Sequence, residues 1–357
     1  MSDAFPPTPQ AARERLAALQ PEAYAATRNH VDGAVSRLSP YLTHGFVTLP
    51  EVWAATGRRP AGHKWTQELG WRAYFRHLWR HRGDALFLSL HEGPLPDDAY
   101  ARELPADLRA GRSGVPVVDQ AVRTLYASGW LHNHARLWLA SHLVHERRVH
   151  WRTCADWLYA HLLDGDLASN HGSWQWVAGT GSSKPYRFDD GNVARFAPPS
   201  WHAAGPAAPL VAEPALASRP PFAVQAPDAS QVAGRDVWLL HAWSLADPPP
   251  GRTAIAVLDS EFHARWPWSA PRWRFVGARL QALGVPVWWA TARSIAQALR
   301  AAASVAAVAD PHAQALLAGA AADEPRLFDE PDAPCRSFSA WWKRAAIRPG
   351  PVPGSCA

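Results

Sequence analysis

The pattern of apolar residues changes once along this 357-residue chain, close to Pro198. Before Pro198, apolar residues recur every three or four positions, which is typical of amphipathic α-helices. After it, helical segments separate short apolar runs, which are Val237–Leu240, Ala254–Leu258, Val285–Trp289 and Val305–Val308. Such alternation is typical of a small α/β domain with a mainly parallel sheet. We therefore predict a mainly α chain, in which a helical domain is followed by a small α/β domain.

The predicted domain boundaries follow this change in pattern. The helical domain covers residues 1–200, and residues 201–235 form a linker rich in Pro and Ala. The α/β domain covers residues 236–345, and residues 346–357 form a tail. The α/β part contains neither a GxGxxG motif nor a Walker loop, so its sequence assigns it no nucleotide site.

Composition excludes several classes of protein. The three cysteines, Cys154, Cys335 and Cys356, are scattered without a CxxC pair, which argues against a disulfide framework or a zinc site. The seventeen His residues form no HExxH motif, so we predict no metal. No signal-peptide pattern opens the chain and no run of 18 apolar residues occurs, so we expect a cytoplasmic monomer without a membrane partner. The formal net charge of +5 suits a polyanionic partner.

The segment LDGDLASNHGSWQW, residues 163–176, concentrates polar groups next to an apolar, Trp-rich helical run. It contains Asp164, Asp166 and Asn170 beside Trp174 and Trp176. An unpaired polar group near an interior costs about 2–7 kcal/mol, so a ligand with many donors, many acceptors and a flat face would satisfy these groups. The alternative, which composition alone favours, is a polar corner between two helices with two tryptophans in the core.

The run His63–Arg82 predicts a long helix with polar and aromatic residues on one face. Trp65, Glu68, Trp71 and Arg72 follow the i, i+3, i+4 spacing and share this face. Glu68 either pairs with Arg72 at i, i+4 or points into a pocket that the indoles enclose.

The sequence Ser-Arg-Leu-Ser, residues 36–39, comes directly before Pro40, which favours the start of a helix. Two hydroxyls, free backbone N–H groups and an arginine at a helix start would hold a phosphate. The alternative is an ordinary serine cap with a solvated arginine.

Four stretches together resemble the FAD-binding helical domain of the DNA photolyases and cryptochromes. They are SRLS at 36–39, WTQELGWRAYFRHL at 65–78, GVPVVDQAVRTLYASGWLHNHAR at 114–136 and DGDLASNHGSWQWVAGTG at 164–181. These stretches occur in the family's order and at roughly its spacing. The resemblance covers residues 20–197, about half of the chain, and implies that FAD is the cofactor.

The resemblance also implies a role for each matching residue. The segment Ser36–Ser39 would lie by the FAD diphosphate, Arg136 would pair with Asp164, Asp166 would accept a hydrogen bond from the cofactor, and Asn170 would face flavin N5. The full set of implied cofactor-binding residues is Tyr24, Ser36, Arg37, Leu38, Ser39, Trp65, Glu68, Arg72, Asn133, Arg136, Asp164, Asp166 and Asn170.

The family's chemistry implies light-driven electron transfer from reduced FAD to a pyrimidine dimer that is flipped out of damaged DNA. The implied catalytic residues are Glu68, Trp71, Asn133 and Trp176. Trp71 and Trp176 match the indoles that enclose the dimer, and Glu68 matches the acid that hydrogen-bonds it. Asn133 stands where the (6-4) repair enzymes have His, which favours cyclobutane dimers. The alternative function is a cryptochrome-like blue-light photoreceptor that binds FAD without repair.

Three features depart from the family. The family's α/β antenna-binding domain comes before the FAD domain, whereas here the α/β pattern follows it. We therefore hypothesise a relocated antenna-like domain at 236–345 and leave its pigment open. Trp174 and Trp151 match the two inner members of the family's electron relay, and the third is missing; the candidates to replace it are Tyr100, Trp138 and Trp157. The segment 182–197 also differs from the family pattern, which favours the photoreceptor alternative.

Overall fold

The computed structural model describes residues 4–202 and 210–348. Up to residue 202 the described chain is helical. Its helices are α1 (Pro9–Ala17), α2 (Pro21–Thr27), α3 (Ser39–Thr43), α4 (Leu49–Ala55), α5 (Lys64–Arg82), α6 (Ala106–Arg109), α7 (Pro116–Ser128), α8 (Asn133–Ser141), α9 (Trp151–His161), α10 (Leu167–Ala178) and α11 (Asp190–Phe196). The predicted helical domain is therefore confirmed in its secondary structure.

The ends of these helices follow from local chemistry. The side chain of His63 accepts a hydrogen bond from the backbone N–H of Trp65 and begins α5. Gly129 ends α7 with a φ of 68°, a left-handed conformation that favours glycine. The chain then turns before α8, and α8 continues as a π-helical turn over His142–Glu146.

The second half of the described chain contains a parallel sheet, as the sequence predicted, and the sheet has five strands, one more than the four predicted runs. Its strands are β2 (Asp236–Leu240), β3 (Thr253–Asp259), β5 (Val287–Ala290), β6 (Ser304–Val308) and β7 (Ala321–Asp323), in the spatial order β5-β3-β2-β6-β7. All four neighbouring pairs are parallel. The helices α12 (Ser260–Arg265), α13 (Ala270–Leu283) and α14 (Ala292–Leu299) lie between these strands in the chain. The direction of strand order reverses between β2 and β6, which makes this point the topological switch point.

Short antiparallel ladders occur in the segments predicted as linker and tail. In the predicted linker, β1 (Leu216–Ala217) pairs with β4 (Trp268–Ser269). The predicted tail begins with β9 (Ala346–Ile347), which pairs with β8 (Phe328–Asp329) and thus extends regular structure past residue 345. Both ladders are formed by only two residues per strand, which is too short to give a strand pattern in the sequence. Residues 203–209 of the linker and 349–357 of the tail lie outside the described residues.

The helical and α/β halves share one hydrophobic core. A single cluster of buried residues includes Leu69 and Tyr74 of α5 together with Val257 of β3 and Trp273 of α13. A second cluster lies within the helical half and contains Trp138, Trp151 and Trp174. Because the first cluster spans both halves, the elements of the α/β half pack directly against the helices. The helix α15 (Phe338–Trp342) packs against α5 in the same way.

None of the helices in the described part of the chain has the length and apolar character needed to cross a membrane.

Candidate functional site

A cavity of about 310 Å³ lies between α5, α8, α10 and the segment that leads into α3. This volume falls in the range of small-molecule and cofactor sites. The structure brings together at this cavity most of the residues that the sequence singled out, namely Tyr24, Ser36, Arg37, Ser39, Trp65, Glu68, Trp71, Arg72, Asn133, Arg136, Asp164, Asp166, Asn170 and Trp174. The cavity therefore brings together all four motifs, since one of them, residues 65–78, forms the face of α5 and the other three surround it.

Three of the singled-out residues do not line the cavity. The side chain of Leu38 is buried in the core and does not face the cavity. Trp151 is buried behind the cavity, where its Nε1 donates to Ser89 Oγ at 3.0 Å.

Trp176 lies on the outside of α10. Its side chain is 38% exposed, and its ring stacks on Tyr186 with a centroid distance of 5.5 Å. Ser169 and Ser173 line the cavity, and helical spacing places Trp176 close to the same face of α10. Trp176 lies nearer the C-terminus of the helix than these two serines. It therefore stands beside the cavity rather than within its wall.

The face of α5 that lines the cavity is held by contacts from α2 and α4. Trp65 donates from Nε1 to Thr56 Oγ1 at 3.0 Å, and the ring of Tyr24 lies edge-on to it at 4.8 Å. Burial raises the pKa of the Tyr24 hydroxyl well above its usual range. The tyrosine is therefore protonated and neutral beside the cavity.

Glu68 pairs with cations other than Arg72. Its Oε1 lies 3.4 Å from Nη1 of Arg28 and 3.9 Å from Nζ of Lys64. The i, i+4 pair with Arg72, which the sequence offered as an alternative, is absent because Arg72 turns toward Asp166. Burial raises the pKa of Glu68, and the charges of Arg28 and Lys64 oppose this rise.

Asp166 is the buried centre of a cluster of ion pairs. It caps the start of α10, because its Oδ1 accepts a hydrogen bond from the backbone N–H of Ser169 at 2.9 Å. Its Oδ2 lies 3.4 Å from Nη2 of Arg72 and 3.1 Å from Nη2 of Arg76. Burial on its own would raise the pKa of Asp166, but the two guanidinium groups outweigh it and hold the pKa far below the usual range. The carboxylate is therefore charged throughout the physiological pH range.

Asp164 stands two residues away and has a separate partner. Nη2 of Arg136 lies 2.7 Å from Oδ2 and 2.9 Å from Oδ1 of Asp164. The ion pair that the family resemblance implied is thus present. Arg136 also donates from Nε to the carbonyl of Leu131 at 3.1 Å, which orients the guanidinium toward the cavity wall.

The segment Ser36–Ser39 forms the opposite wall. Arg37 adopts a left-handed backbone conformation with a φ of 49°, which is uncommon for a residue with a side chain. Its guanidinium lies 5.2 Å from the centre of the Trp130 ring, and Trp130 Nε1 donates to Ser39 Oγ at 3.1 Å. Within residues 4–202 and 210–348, no carboxylate forms an ion pair with Arg37, so its charge is available to an anionic ligand.

Asn170 is buried and its amide orientation follows from one contact. Its Nδ2 donates to the carbonyl of Ala155 at 2.8 Å. The carbonyl end, Oδ1, is then the end that accepts a hydrogen bond from a ligand in the cavity. Asn133 is exposed at the start of α8, one helical turn before Arg136.

Of the candidates for the third relay member, Tyr100 is the one whose ring lies near Trp151, and Trp151 shares a buried cluster with Trp174. Trp174 lines the cavity, and the ring of Trp151 lies 5.8 Å from that of His150. The ring of Tyr100 lies 6.2 Å from His150 on its other side. The other two candidates point elsewhere, because Trp138 donates to Asn192 and Trp157 donates to Glu213.

Several residues at the site were missed by the sequence analysis. Arg28 pairs with Glu68, and Arg76 joins Asp166 to Asp310 of the α/β half. Arg76 is four residues after Arg72, so the helix spacing alone was enough to find it. Asp310 could have been suspected because it follows a parallel strand, where ligand-binding residues often lie. Its pairing with Arg76 across the interface, however, leaves no pattern in the sequence.

This set of groups fits a large, flat, anionic cofactor. One wall offers an unpaired guanidinium and two hydroxyls, the other offers buried carboxylates and an amide, and indole rings lie between them. No group of three or more potential metal ligands occurs in the described residues.

Residues 65–199 match the family model described as the FAD binding domain of DNA photolyase. This part of the helical domain is similar to the FAD-binding domain of the DNA photolyases, and the match indicates FAD as its cofactor. The chain is similar to deoxyribodipyrimidine photo-lyases from Synechococcus sp. (33% identical over 184 residues, 46% of this chain and 37% of the relative), from Escherichia coli (39% over 132 residues, 35% and 27%) and from Thermus thermophilus (39% over 174 residues, 46% and 40%). The chain therefore spans well under half the length of these photolyases.

Two solved structures of the photolyase/cryptochrome family also resemble the chain. The Synechocystis sp. cryptochrome is 26% identical with a TM-score of 0.47, and the match covers 53% of this chain and 43% of that one. The class III photolyase of Agrobacterium tumefaciens is 30% identical with a TM-score of 0.43, covering 53% and 44%. The similarity to this family therefore rests on the sequence matches.

Proposed function

We propose that this chain is a DNA photolyase that uses blue light to split cyclobutane pyrimidine dimers in damaged DNA. The observation that carries the proposal is that Glu68 and Trp71 line the same cavity as the flavin-type groups of α8 and α10. An acid and an indole at the mouth of a flavin cavity are what a flipped-out dimer needs for hydrogen bonding and stacking. Bound, reduced FAD would supply the electron on excitation by light.

The two walls would hold the cofactor in different ways. Arg37, Ser36 and Ser39 would bind the diphosphate through charge-assisted hydrogen bonds. Asn170 would accept a hydrogen bond from flavin N5 through its Oδ1, because its Nδ2 is already engaged. The Arg136–Asp164 pair would form the side of the ring pocket. Trp174 would pass electrons from Trp151 toward the cavity, with Tyr100 at the surface end.

Glu68 would hydrogen-bond the dimer in its neutral or partly neutral form. Burial raises its pKa and so extends the pH range in which the carboxyl keeps a proton to donate. Trp71 would offer its ring edge to the dimer, and Trp176 would flank the mouth of the cavity. The exposed arginines Arg112, Arg187 and Arg195 would contact phosphates. Arg123 is a weaker candidate because its Nη2 already donates to the carbonyl of Gly111.

The test is an absorption spectrum of the purified protein, followed by blue light on a thymine-dimer oligonucleotide in the presence of a reductant. Flavin bands with light-dependent loss of the dimer would support the proposal. Flavin bands with photoreduction but no loss of the dimer would replace repair with the sensory function. A protein that binds no flavin would refute both.

The variant Glu68→Gln sharpens this test. We expect a repair yield lower by roughly tenfold to hundredfold, because the carboxyl no longer stabilises charge on the dimer, while FAD remains bound. Glu103→Gln is the matched control and is expected to repair normally, because Glu103 is exposed and does not line the cavity. If Glu68→Gln loses its flavin, the residue is structural.

The second candidate function is a cryptochrome-like photoreceptor, and one observation favours it. The ring of Trp71 stacks on Phe338 of α15 at a centroid distance of 3.9 Å and an interplanar angle of 10°. Trp176 stacks in turn on Tyr186. Both indoles that the repair function assigns to the dimer therefore already have aromatic partners within the chain.

The variant Phe338→Ala separates these two functions. If Phe338 supports Trp71 for repair, its removal weakens binding of the dimer oligonucleotide by about 2- to 10-fold, because one stacked pair is lost. Tighter binding or a gain of repair would mean that Phe338 occupies the place of the dimer. Ser339→Ala, an exposed neighbour on the same helix, is the control.

A further inference from the structure

The carboxyl edge of the parallel sheet is filled by α5, a helix of the helical half. In doubly wound sheets, ligands bind in the crevice at the topological switch point, which here lies between β2 and β6. Asp310 and His312 follow β6 at this crevice, and α5 enters it. Nη2 of Arg76 lies 2.8 Å from Asp310 Oδ2, and the ring of Trp79 lies edge-on to His312 at 4.8 Å. The place where such a sheet usually takes a ligand thus holds α5.

The same two residues reach the wall of the flavin cavity. His312 accepts a hydrogen bond at Nε2 from the backbone N–H of Leu167, the first residue of α10, at 3.0 Å. Its other nitrogen, Nδ1, then carries the proton and donates to Asp310 Oδ1 at 2.7 Å. The two contacts connect the start of α10 to the carboxylate that pairs with Arg76. Asp310, His312 and Leu167 are buried, so water does not replace the contacts between them.

A second connection from the sheet half holds the turn that precedes α10. Arg272 of α13 is fully buried and donates from Nη2 to the carbonyl of Gly165 at 2.6 Å and from Nη1 to that of Tyr159 at 2.9 Å. A Cβ atom on Gly165 would lie 2.5 Å from Arg272 Nη1, so the close approach requires glycine. The turn that carries Asp164 and Asp166 is therefore fixed from behind by the α/β half.

The ion pairs around Asp166 balance in charge only when Asp310 is included. Arg72 and Arg76 supply two positive charges, and Asp166 and Asp310 supply two negative charges. Asp166 and Arg72 both line the cavity. Without the carboxylate of Asp310, the cavity wall would carry one uncompensated positive charge in a buried region, where electrostatic interactions are weakly screened.

We propose that Asp310 and His312 are positioning residues of the flavin site, and that the α/β half serves as the rear wall of that site. Asp310 acts through Arg76 on the charge of Asp166, and His312 acts through Leu167 on the position of α10. The inference rests on the proposed flavin site. A charge next to a bound flavin changes its midpoint potential, and the position of α10 changes its affinity.

The experiment removes the charge of Asp310 while keeping its shape. FAD is added to apo-protein of the full chain, and the dissociation constant and midpoint potential of the bound flavin are measured for wild type and Asp310→Asn. We expect an affinity at least about fivefold lower, because a neutral amide holds His312, and through it the start of α10, less firmly than the carboxylate does. We also expect a more positive midpoint potential, because the uncompensated positive charge favours the reduced, more anionic flavin. Asp259→Asn is the matched control, since Asp259 is the last residue of strand β3 in the same sheet and its side chain caps α12.

A double-mutant cycle tests the route. If Asp310 acts through Arg76, Asp310→Asn has little further effect on the potential in an Arg76→Gln background. The amide of His312→Gln can still accept from Leu167, but its N–H no longer lies at the ring position that donates to Asp310, so the variant is expected to lower the affinity as well. Should Asp310→Asn not fold, the His312→Gln measurement decides.

The outcomes separate this inference from the proposed function. A wild-type chain without flavin affinity would refute the flavin site itself. A wild-type chain that binds FAD, with Asp310→Asn and His312→Gln unchanged in affinity and potential, would refute only the positioning role. Equal changes in Asp259→Asn would also overturn it, because they would indicate a general effect of weakening the sheet.

Discussion

The two walls of the cavity differ in what holds them in place. The wall of Ser36–Ser39 depends on Trp130, which belongs to the helical half. The wall of Asp164–Asp166 depends on residues of the α/β half, namely Arg272, Asp310 and His312. His44 of the helical half links the two halves at this wall, because its two ring nitrogens contact the carbonyls of Leu163 and of Ala242 in the α/β half.

We call the Ser36–Ser39 side the local wall, because its supports lie in the same half of the chain. We call the Asp164–Asp166 side the remote wall, because its supports lie in the α/β half. A change in the Ser36–Ser39 wall affects the ligand but few other contacts, because that wall is half-exposed. A change behind the Asp164–Asp166 wall affects the fold as well, because its supports are buried at the interface of the two halves. Three predictions test this contrast.

The largest effect is expected for Arg272→Ala, behind the remote wall. The substitution leaves the carbonyls of Tyr159 and Gly165 without their donor and opens a space against the Trp268 ring, 3.9 Å from the guanidinium. We expect the free energy of unfolding to fall by about 3–5 kcal/mol, because two buried acceptors and a large packed side chain are lost together. Chemical unfolding of the apo-protein measures this.

Arg274→Ala provides the control for that variant. Arg274 is exposed on the same helix, two residues away, so its loss should change the free energy of unfolding by less than about 0.5 kcal/mol. If Arg272→Ala were as stable as Arg274→Ala, the remote wall would not depend on the α/β half, and the contrast between the walls would disappear.

The next effect concerns the local wall. We expect Arg37→Gln to raise the dissociation constant for FAD by about tenfold, because a charge-assisted contact to the diphosphate is replaced by a neutral one. The free energy of unfolding should hardly change. Arg148→Gln is a closely matched control, since Arg148 is exposed, lies away from the cavity and has the same φ of 49°. A large loss of stability in Arg37→Gln, with affinity unchanged, would reverse the assignment of the local wall.

The smallest effect is in the response to acid. Arg76 and its neighbours outweigh burial and hold the pKa values of Asp166 and Asp310 below the ordinary value of about 3.9. At a pH between the lowered pKa of the folded chain and the ordinary pKa of the unfolded chain, the unfolded chain binds more protons than the folded one. The stabilisation that these two carboxylates give is therefore complete above about pH 5 and is lost as the pH falls below about 4. Asp310→Asn lacks one such group and should lose about 1 kcal/mol less than wild type between pH 5 and pH 3.

Urea unfolding at pH 5, 4 and 3 measures this difference. Arg37→Gln should follow the wild-type curve, because the local wall contributes no carboxylate with a lowered pKa. Parallel curves for wild type and Asp310→Asn would show that the remote ion pairs do not stabilise the fold in the expected way.

The sequence predicted the parts of this chain whose pattern repeats along it. The helix over His63–Arg82, the parallel strands and the helices between them follow from apolar periodicity and are confirmed within about two residues at most ends. The members of the cavity were predicted through the family resemblance, and Glu68, Arg72, Asn133 and Arg136 do line one cavity. The ladder of Leu216–Ala217 was missed, because two residues carry no periodic signal.

What the tertiary structure decided is how distant segments meet. Nothing in the local sequence pairs Asp166 with Arg76, stacks Trp71 on Phe338 or directs α5 into the edge of the sheet. Local patterns report on neighbours three or four residues apart, whereas these contacts join residues that are between 90 and 267 positions apart along the chain. The sequence by itself determined the helices and strands and, through its resemblance to a known family, most of the groups that face the cavity. The packing of the two halves determined the charge and rigidity of its remote wall, because only burial removes the water that would otherwise screen and replace those contacts.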